Sequence, residues 1–412
     1  MNTTKGTLLI FSQAYPPDPA SVGQHMHDAA AEMARRGWRV RVITANRGYD
    51  DASIKYDNHE VRDGVEIRRV PFSSFGKASI PVRALAMGIF MCFCLFAGLF
   101  TRNVKLLLVT TSPPMCGFVA GLVHSLRRTP LAYWVMDLNP DQMIALGKMR
   151  EKSLAARMLN AMQRFVCKRS RKIVVLDRFM GERLLKKIDV ADRMTVMPPW
   201  PHEDTLELVE HEDNWFREKH GLNGRFVVMY SGNHAYSSPV DTVVDAAIEM
   251  QDDPDMYFMF IGGGNGKKDV ERAIAEHEPK NIVSLPYQPF KDLRYSLSAA
   301  DIHVVSVGDG VVGAVHPCKI YGAMAVARPI LLVAPDPCHA SEIIREQRVG
   351  WHIPLGDTAL AIETLREIAR TPKEELRAMG ERAKAFIDRD MNMVQLRGAF
   401  CDILESACDD AH

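Results

Sequence analysis

The residues most able to do chemistry lie in the stretch 307–332, where a glycine-containing loop runs through His316 and Pro317 to Lys319 and into an apolar segment. Proline suits the first position of a helix because its missing N–H would have no partner there, so the pattern predicts a helix that opens at Pro317. The free amides of its first turn, the flexible backbone at Gly313 and the cations of Lys319 and His316 would together bind an anion such as a diphosphate. An ordinary loop–helix–strand connection is the alternative.

Strand and helix patterns alternate along the whole chain, which is typical of parallel sheets joined by helical crossovers. The alternation occurs twice, on either side of a proline-dense segment, 197–201, that can continue neither a helix nor a central strand. The sequence therefore predicts an α/β fold of two doubly wound, Rossmann-like parallel-sheet domains. The predicted divisions are an N-terminal domain at 1–198, a second domain at 199–380 and a C-terminal helical segment at 381–412 that packs back on the first domain.

Short, mostly β-branched runs mark the predicted strands. They are 7–11, 39–44, 65–70, 106–110, 131–136 and 172–176 in the first domain, and 226–230, 256–261, 282–285, 302–306, 330–333 and 350–353 in the second. Ligands of doubly wound sheets bind in the crevice at the carboxyl ends of the strands. Functional residues are therefore expected in the loops that follow these strands.

Composition narrows the class of protein. The chain has 412 residues, enough for two domains that each bury a core, and it balances 51 Lys and Arg against 51 Asp and Glu. Because no overall field attracts nucleic acid, no nucleic-acid partner is predicted. Eight cysteines without zinc-ligand spacing indicate reduced thiols in a cytoplasmic protein. The start lacks a basic segment followed by a long apolar core, so no secretory signal is predicted.

Motifs distributed from end to end of the chain carry a resemblance to a known family. They are Gly23 before a helix that ends in ARRGWRV, SPPMCGFVAG from Ser112, YWVMDLNPDQ from Tyr133, YSGNHAYSSPVDTVVDAA from Tyr230, FIGGGNG from Phe260, LPYQPFKDL from Leu285 and HPCKIYGAMAVARP from His316. Together they resemble the retaining glycosyltransferases of family 4, and within them the branch that includes bacterial fucosamine transferases of surface polysaccharide assembly. The resemblance implies the GT-B architecture, in which two Rossmann-like domains face a central cleft.

The same resemblance implies an activity. A sugar would pass from a nucleotide diphosphate to an acceptor hydroxyl with retained anomeric configuration, usually without a metal, and no cofactor is expected. A UDP-sugar is favoured because the related branch mostly uses one. The second domain would bind this donor, and the first would receive a lipid-linked or polysaccharide acceptor.

Departure of the sugar leaves negative charge on the nucleoside diphosphate, and the chain shows no obvious acidic cluster for a metal ion. We therefore expect Lys319, the amides of its helix and the amides of Gly232, Asn233 and His234 to hold the anion.

Glycines 262–264 follow an apolar strand but do not fit the spacing of a dinucleotide fingerprint. We expect a tight turn near the donor there, centred on Gly263. The resemblance places the nucleotide base beside Tyr287 and Gln288, and packing of Tyr287 in the core is the alternative.

Two positions depart from the family pattern around the anion-binding loop. Many members carry two glutamates eight residues apart, and here Ala314 and Gly322 occupy those places. Neither side chain can accept a hydrogen bond. The groups that remain to recognise ribose and sugar are His316, Tyr321 and Lys319. The related branch has a Pro-Ser-Lys pattern, which the Pro-Cys-Lys around Cys318 resembles, so the site is interpreted as a variant. A catalytically inactive nucleotide-sugar-binding protein is the alternative.

A third departure lies at the end of a strand in the first domain. Wider family members often have a histidine at the position of Met136, and methionine cannot move protons. Asp137 follows it, and its carboxylate would orient the acceptor or stabilise positive charge at the anomeric carbon. Capping of the next turn, with Asn139 and Pro140, is the alternative.

The loop 13–23 contains three prolines and ends in Gly23 before a helix. In the resembling family this loop approaches the donor phosphates or the acceptor, and Gly23 fits a place where bulk is excluded. A plain connection between strand and helix is the alternative.

Segment 84–100 is apolar throughout and carries no charge. A spanning helix, a buried helix and a helix that dips into one leaflet are all compatible with it, and the last is favoured because cations flank it. Those cations are Arg83, Arg102 and Lys105. A basic run at 164–172 would also meet anionic lipid, with an ordinary solvated face as the alternative. We therefore expect a cytoplasmic protein that contacts the inner face of the cytoplasmic membrane peripherally.

The mechanism expected from these residues is front-face transfer, in which the departing phosphate accepts the proton of the acceptor. Lys319, His316 and Asp137 are the candidate catalytic residues. Because one architecture supports unrelated reactions, a sugar-nucleotide epimerase or hydrolase is a further alternative.

Overall fold

The computed structural model describes residues 4–18, 20–48, 53–73, 80–113, 115–202 and 206–409. The chain divides into two compact units. Unit 1 comprises the chain up to Trp200 together with the part from Val394 onward, and unit 2 runs from Pro201 to Met393. Each unit contains a doubly wound sheet with helical crossovers, so the predicted α/β fold class is confirmed.

Unit 1 is built on one twisted sheet. Its strands are β1 (Thr7–Phe11), β2 (Arg39–Ala45), β3 (His59–Arg62), β4 (Val65–Val70), β5 (Val104–Thr110), β6 (Leu131–Val135), β7 (Lys172–Val175) and β8 (Met194–Val196). Within the described residues their order is β3-β4-β2-β1-β5-β6-β7-β8, and all pairings are parallel except that of β3 with β4. Strands β3 and β8 are not among those the sequence predicts.

Helices cover this sheet. They are α1 (Ser21–Arg35), α2 (Ile80–Phe100), α3 (Cys116–Arg127), α4 (Asp141–Ala145), α5 (Leu154–Arg169) and α6 (Arg178–Leu185). Helix α2 contains the apolar segment 84–100. Across the part of the chain that the structure describes, we find no helix with the length and apolarity needed to cross a bilayer.

Unit 2 contains a fully parallel sheet in its described residues. Its strands are β9 (Phe226–Ser231), β10 (Met256–Ile261), β11 (Ile282–Leu285), β12 (Ile302–Ser306), β13 (Ile330–Val333) and β14 (Gly350–Ile353), in the order β11-β10-β9-β12-β13-β14. Alternate residues of β9 and β10 enter two different cores, Val228 and Phe258 on one face and Val227 and Met259 on the other. Burial on both faces explains why these strands are apolar without interruption.

The helices of unit 2 lie on both faces of its sheet. They are α7 (Trp215–Lys219), α8 (Asp241–Glu249), α9 (Lys267–His277), α10 (Leu293–Ser298), α11 (Lys319–Ala325), α12 (His339–Gln347), α13 (Thr358–Arg370) and α14 (Lys373–Asp390). The last described helix, α15 (Met393–Asp409), belongs with unit 1 from Val394 onward.

The observed boundaries differ from the predicted ones for identifiable reasons. Trp200 stays with unit 1 because its buried ring packs 5.4 Å from that of Trp134 and 5.8 Å from that of Phe400. The sequence predicts that the part of helix α14 from 381 onward belongs to the C-terminal segment. Instead, the whole helix stays with unit 2, because Gly380 lies so close to the Ala327 carbonyl oxygen that an added Cβ would be 1.9 Å from it. The chain returns to unit 1 only in α15, where the Trp38 indole donates to Glu405 at 2.8 Å.

Candidate functional site

The carboxyl ends of three neighbouring strands of unit 2, β9, β10 and β12, bring several loops into direct contact. Backbone hydrogen bonds connect them: the Gly232 amide donates to the Ile261 carbonyl at 2.9 Å, and the Gly308 amide donates to the Ser237 carbonyl at 2.9 Å. The predicted donor loops, far apart in sequence, therefore form one continuous surface at the edge of the sheet where ligands of such folds bind.

Gly262 and Gly263 allow the loop after β10 to lie directly against the loops after β9 and β11. Gly262 has φ 133°, and a Cβ there would stand 1.9 Å from the Gly232 carbonyl oxygen. Gly263 lies under the ring of Tyr287, whose Cε2 would be 2.9 Å from an added Cβ. The triple glycine is thus a tight turn, and its contacts leave no room for side chains between the loops.

Lys319 lies over this surface. Its stem passes Gly232, where an added Cβ would be 3.1 Å from the Lys319 Cε. The ammonium group donates to the Ser238 hydroxyl at 3.2 Å and lies 5.4 Å from the centre of the Tyr230 ring. Burial lowers the pKa of the Lys319 amine to about 8, so at neutral pH the amine is mostly charged but poorly hydrated. A partly desolvated cation of this kind binds an anion more strongly than an exposed one.

The helix behind Lys319 begins later than the sequence predicts. Helix α11 starts at Lys319, two residues beyond Pro317, and Cys318 precedes it as an exposed residue with helical backbone angles. The turn is closed by a bond from the Cys318 amide to the His316 carbonyl at 3.0 Å, and the Ile320 amide bonds the Pro317 carbonyl at 3.3 Å. The predicted opening at Pro317 is therefore wrong, because a tight turn intervenes. Gly313, with φ 71°, makes the bend that leads into this turn.

The amides predicted to hold the diphosphate are only partly available. The Gly232 amide donates to Ile261, and the His234 amide donates to the Gly263 carbonyl at 2.7 Å. An N–H that is already donated within the protein is a poor ligand for a phosphate. The amides of Gly232 and His234 are therefore not free for a phosphate in the described conformation, and the assignment of these residues to the donor site stays a prediction. Asn233, between them, lies against Gly264, where an added Cβ would be 2.1 Å from its Oδ1.

The imidazole of His234 is buried beneath the loops instead of facing a ligand, since it is only 1% exposed. Neither ring nitrogen makes a hydrogen bond of ordinary geometry within the described residues. Burial, and secondarily the charge of Lys267, lowers the pKa of His234 to about 4, while nearby carbonyls of Gly263 and Gly232 act in the opposite direction. His234 is therefore neutral at physiological pH, and its ring packs 4.6 Å from that of Tyr230.

Lys267, a residue that sequence reasoning missed, is a second buried lysine below the loops. Its ammonium group donates to the carbonyls of Phe260 at 2.8 Å and Leu285 at 2.7 Å, which ties the ends of β10 and β11 together. Burial lowers its pKa to about 8. The sequence offers no signal for this role, because a lysine in the first turn of a helix is usually solvated.

A cluster of aromatic and imidazole rings lies beside the Lys319 turn. The Tyr321 hydroxyl is 2.8 Å from His316 Nε2 and 3.1 Å from His339 Nε2, and the two imidazoles are 4.6 Å apart. The structure therefore brings together the predicted residues His316 and Tyr321 and adds His339. That residue begins α12, just after the carboxyl end of β13, and this position is the signal that could have found it.

Tyr287 and Gln288 follow β11. The Tyr287 side chain is 58% exposed, so packing in the core, the alternative left open above, is wrong. The side-chain Nε2 of Gln288 donates to the Pro286 carbonyl at 2.8 Å, which folds this loop back on itself. An exposed aromatic face above Gly263 can stack on a planar ring.

In unit 1, the predicted residues also lie at the carboxyl ends of strands. Asp137 is half-buried after β6, and its amide donates to the Thr111 hydroxyl at 3.1 Å. Gly23 is buried in α1, where an added Cβ would be 3.0 Å from the backbone of Tyr15. A larger side chain is therefore excluded at Gly23, as the sequence predicts. The atoms that exclude it are those of the protein's own loop around Tyr15.

The described residues contain no group of three or more His, Cys, Asp or Glu side chains that could hold a metal ion.

Two glycosyltransferase domain models match the chain. Residues 21–200 match the glycosyl transferase 4-like domain, and residues 212–386 match the glycosyl transferases group 1 domain. Together with the two doubly wound sheets, these matches show that the chain belongs to the glycosyltransferases of the GT-B fold.

Named relatives are distant. The chain is 25% identical over 238 residues to a Pseudomonas aeruginosa protein, the probable glycosyltransferase WbjE, and the match spans 57% of this chain and 59% of WbjE. It is 23% identical over 340 residues to WcaI of Escherichia coli K12, a protein named as a colanic acid biosynthesis glycosyl transferase, spanning 79% of this chain and 83% of WcaI.

Solved structures agree in fold. Sucrose-phosphate synthase from Thermosynechococcus elongatus matches with a TM-score of 0.77 at 13% identity, over 99% of this chain and all of that one. Anabaena HepE, solved with UDP and glucose, matches with a TM-score of 0.74 at 12% identity, over 97% of this chain and all of that one. At these identities the likeness establishes the fold.

Proposed function

We propose that the protein is a retaining, metal-independent glycosyltransferase that moves a sugar from a nucleotide diphosphate to a lipid-linked or polysaccharide acceptor during assembly of a cell-surface glycan. The observation that carries the proposal is the half-buried Lys319 amine, held over the glycine loops at the carboxyl ends of the unit 2 strands. In this role it neutralises the nucleoside diphosphate as the sugar leaves.

A UDP-sugar is the proposed donor. HepE, which shares the fold, was solved with UDP and glucose, and WcaI carries the name of a colanic acid biosynthesis enzyme. The exposed Tyr287 ring supports a donor with a planar base, because it can stack there while the diphosphate reaches Lys319. In this proposal unit 2 binds the donor and unit 1 receives the acceptor. The protein would work in the cytoplasm, at the inner face of the cytoplasmic membrane.

The proposed mechanism is front-face transfer. The acceptor hydroxyl attacks the anomeric carbon on the side of the departing diphosphate, the bond from sugar to phosphate breaks, and the phosphate oxygen takes the acceptor proton. Lys319 stabilises the charge that develops on the leaving group. The half-buried His316 ring, held at 2.8 Å by the buried Tyr321 hydroxyl, supplies a hydrogen-bonding group for sugar or ribose in place of the two glutamates that the chain lacks. No protein base is required.

Nucleotide-dependent stabilisation tests the donor assignment. Thermal melting with UDP, GDP, ADP and dTDP in turn is expected to show the largest rise in Tm with UDP, because a ligand that binds only the folded state stabilises it by mass action. Transfer is then assayed with a UDP-sugar, with and without a lipid and polysaccharide extract. UDP release that needs the extract supports a transferase. Conversion of nucleotide sugar without any acceptor would identify an epimerase or hydrolase, and a shift with no turnover would identify an inactive binder.

Asp137 provides a test of the acceptor side. Asp137→Asn is expected to lower kcat about 10- to 100-fold while leaving the UDP-induced rise in Tm unchanged, because the carboxylate acts on acceptor or anomeric carbon and not on the nucleotide. Steady-state kinetics at saturating donor measure the effect. Asp192→Asn, at a carboxylate 80% exposed near the amino end of β8, is the matched control and should be silent. A full-rate Asp137→Asn enzyme would show that this residue only shapes its loop.

A further inference from the structure

Helix α2 has two faces of very different exposure, although both are apolar. Leu85 is 64% exposed, Phe93 49%, Phe96 60% and Phe100 75%. Their spacing of three, four, seven or eight residues places them on one side of the helix. The rings of Phe96 and Phe100 stack with their centres 6.1 Å apart. The described helix thus presents an apolar ridge to the surroundings, which we call the α2 ridge.

The opposite face of α2 belongs to the core of unit 1. Phe90 and Cys94 are fully buried, and Gly98 lies so close to Val123 of α3 that an added Cβ would be 2.5 Å from its Cγ2. A helix that is packed in this way along one face is part of the folded unit. Its other face lacks the polar side chains that a solvent-exposed helix face normally carries. Exposed apolar patches of this kind mark interaction surfaces.

A cationic pocket adjoins the C-terminal end of the α2 ridge. It has a volume of about 380 Å³, and its apolar lining consists of Ile43, Ala97 and Phe100. The rest of its lining consists of two threonines, Thr7 and Thr101, and four arginines, Arg39, Arg41, Arg68 and Arg102. Glu66 is ion-paired with three of them: its carboxylate is 3.5 Å from Arg39, 2.8 Å from Arg41 and 2.8 Å from Arg68. The arginines outnumber this carboxylate, so the pocket keeps a positive excess beside an apolar wall.

The helical layer continues this combination of apolar and cationic groups. Helix α3 packs against both α2 and α5, and Phe165 of α5 contacts Phe118 of α3 with ring centres 4.9 Å apart. The outer side of α5 exposes Leu154 (81%) and Met158 (50%). The exposed cations beside them are Arg157, Arg164 and Lys168.

We propose that the α2 ridge inserts into one leaflet of an anionic bilayer while the arginine pocket beside Phe100 binds the phosphate of an anionic phospholipid. Apolar groups would enter the acyl region as arginines engage headgroups at its edge, and α5 would add further cations. Charge complementarity selects this partner, because an apolar ridge bordered by arginines matches the layered chemistry of a membrane surface. Such a surface would hold the enzyme where lipid-linked acceptors are found, although the membrane contact stands independently of the transfer reaction.

Vesicle flotation tests the proposal with the full-length protein. The wild type is expected to float with equimolar phosphatidylcholine and phosphatidylglycerol and to remain in solution with phosphatidylcholine alone. The double variant Phe96→Ser/Phe100→Ser should lower the partition coefficient at least about tenfold, because two exposed rings no longer enter the leaflet. The double variant Arg68→Gln/Arg102→Gln should lower it about fivefold for each charge removed. Added salt should weaken binding by screening.

Two substitutions outside this surface serve as controls. Val394→Ser removes a side chain that is 66% exposed, and Arg272→Gln removes an exposed arginine of α9; neither should change flotation. An unchanged Tm in each variant shows that the fold is intact. The proposal is overturned if the wild type ignores anionic vesicles, if it binds both vesicle types equally, or if neither double variant loses binding. Release from native membranes only by detergent, and not by salt, would also overturn it.

Discussion

Lys319→Ala is expected to lower kcat/KM for transfer about 100-fold and to abolish most of the UDP-induced rise in Tm. The reason is that the Lys319 amine, held by the Ser238 hydroxyl at 3.2 Å, is the cation at the described site that lies directly over the glycine loops. Removing a preorganised charge from the position where negative charge develops costs about 10²- to 10³-fold in rate. Isothermal titration with UDP and steady-state kinetics measure the two losses separately.

The lysine stem also packs over Gly232, so a second variant separates charge from packing. Lys319→Met keeps most of the stem and removes the ammonium group, and it should lose nearly as much UDP affinity as the alanine variant. Lys280→Ala, at an exposed lysine next to the amino end of β11, is the matched control and should behave as wild type. Unchanged UDP affinity in Lys319→Met would remove this residue from the donor site and leave the diphosphate without its proposed partner.

The pH dependence of UDP affinity gives Lys319 a signature that a purely structural residue would not show. Burial lowers the pKa of its amine from 10.5 to about 8, so in the free protein the amine is charged below pH 8 and neutral above it. A bound diphosphate favours the charged form and raises this pKa. UDP affinity should therefore be full at pH 7 and fall as the pH rises above about 8. In Lys319→Met this fall should disappear, whereas a fall that persists would point to Lys267.

Much of the fold could be predicted because local composition and global structure agree. Runs such as 256–261 are apolar without interruption, which suits a parallel strand buried on both faces, and β10 covers those residues.

The hairpin of β3 was missed although the sequence carries a signal for it. Asp63 and Gly64 both have positive φ, 49° and 78°, as a two-residue hairpin turn requires, and an Asp-Gly pair is a favoured sequence for that turn.

The site could be predicted only as far as strand ends determine it. His316 lies in the loop after β12, and Lys319 and Tyr321 lie at the start of the helix that follows it. The proximity of Lys319 to Gly232 therefore follows from the order of the sheet. The order of the strands does not determine the direction in which a side chain points. His234 follows Gly232 in the loop after β9, but its ring is buried beneath the loops, whereas Ser238, farther along the same loop, accepts the hydrogen bond from Lys319. These outcomes depend on contacts between loops, and patterns in a single sequence do not reveal such contacts.

Gly262→Ala is expected to lower the free energy of unfolding by about 3 kcal/mol and to lose most UDP affinity at the same time. Gly262 has φ 133°, a conformation that L side chains rarely adopt, and an added Cβ would stand 1.9 Å from the Gly232 carbonyl oxygen. Backbone atoms cannot rotate away as a side chain can, so the two loops must separate. Because Gly232 also lies under the Lys319 stem, their separation would move the ammonium group. Urea denaturation followed by circular dichroism measures the first effect, and UDP titration measures the second.

Gly221→Ala is the control that distinguishes backbone strain from the clash between loops. Gly221 also has positive φ, 63°, but nothing lies within 4 Å of an added Cβ. Its substitution should cost only the strain of a left-handed residue, about 1 kcal/mol, and leave UDP affinity unchanged. If the two variants lost equal stability, the close approach of the loops would not be what makes glycine necessary at 262. If Gly262→Ala lost stability but kept full UDP affinity, the loops would support the sheet without positioning Lys319.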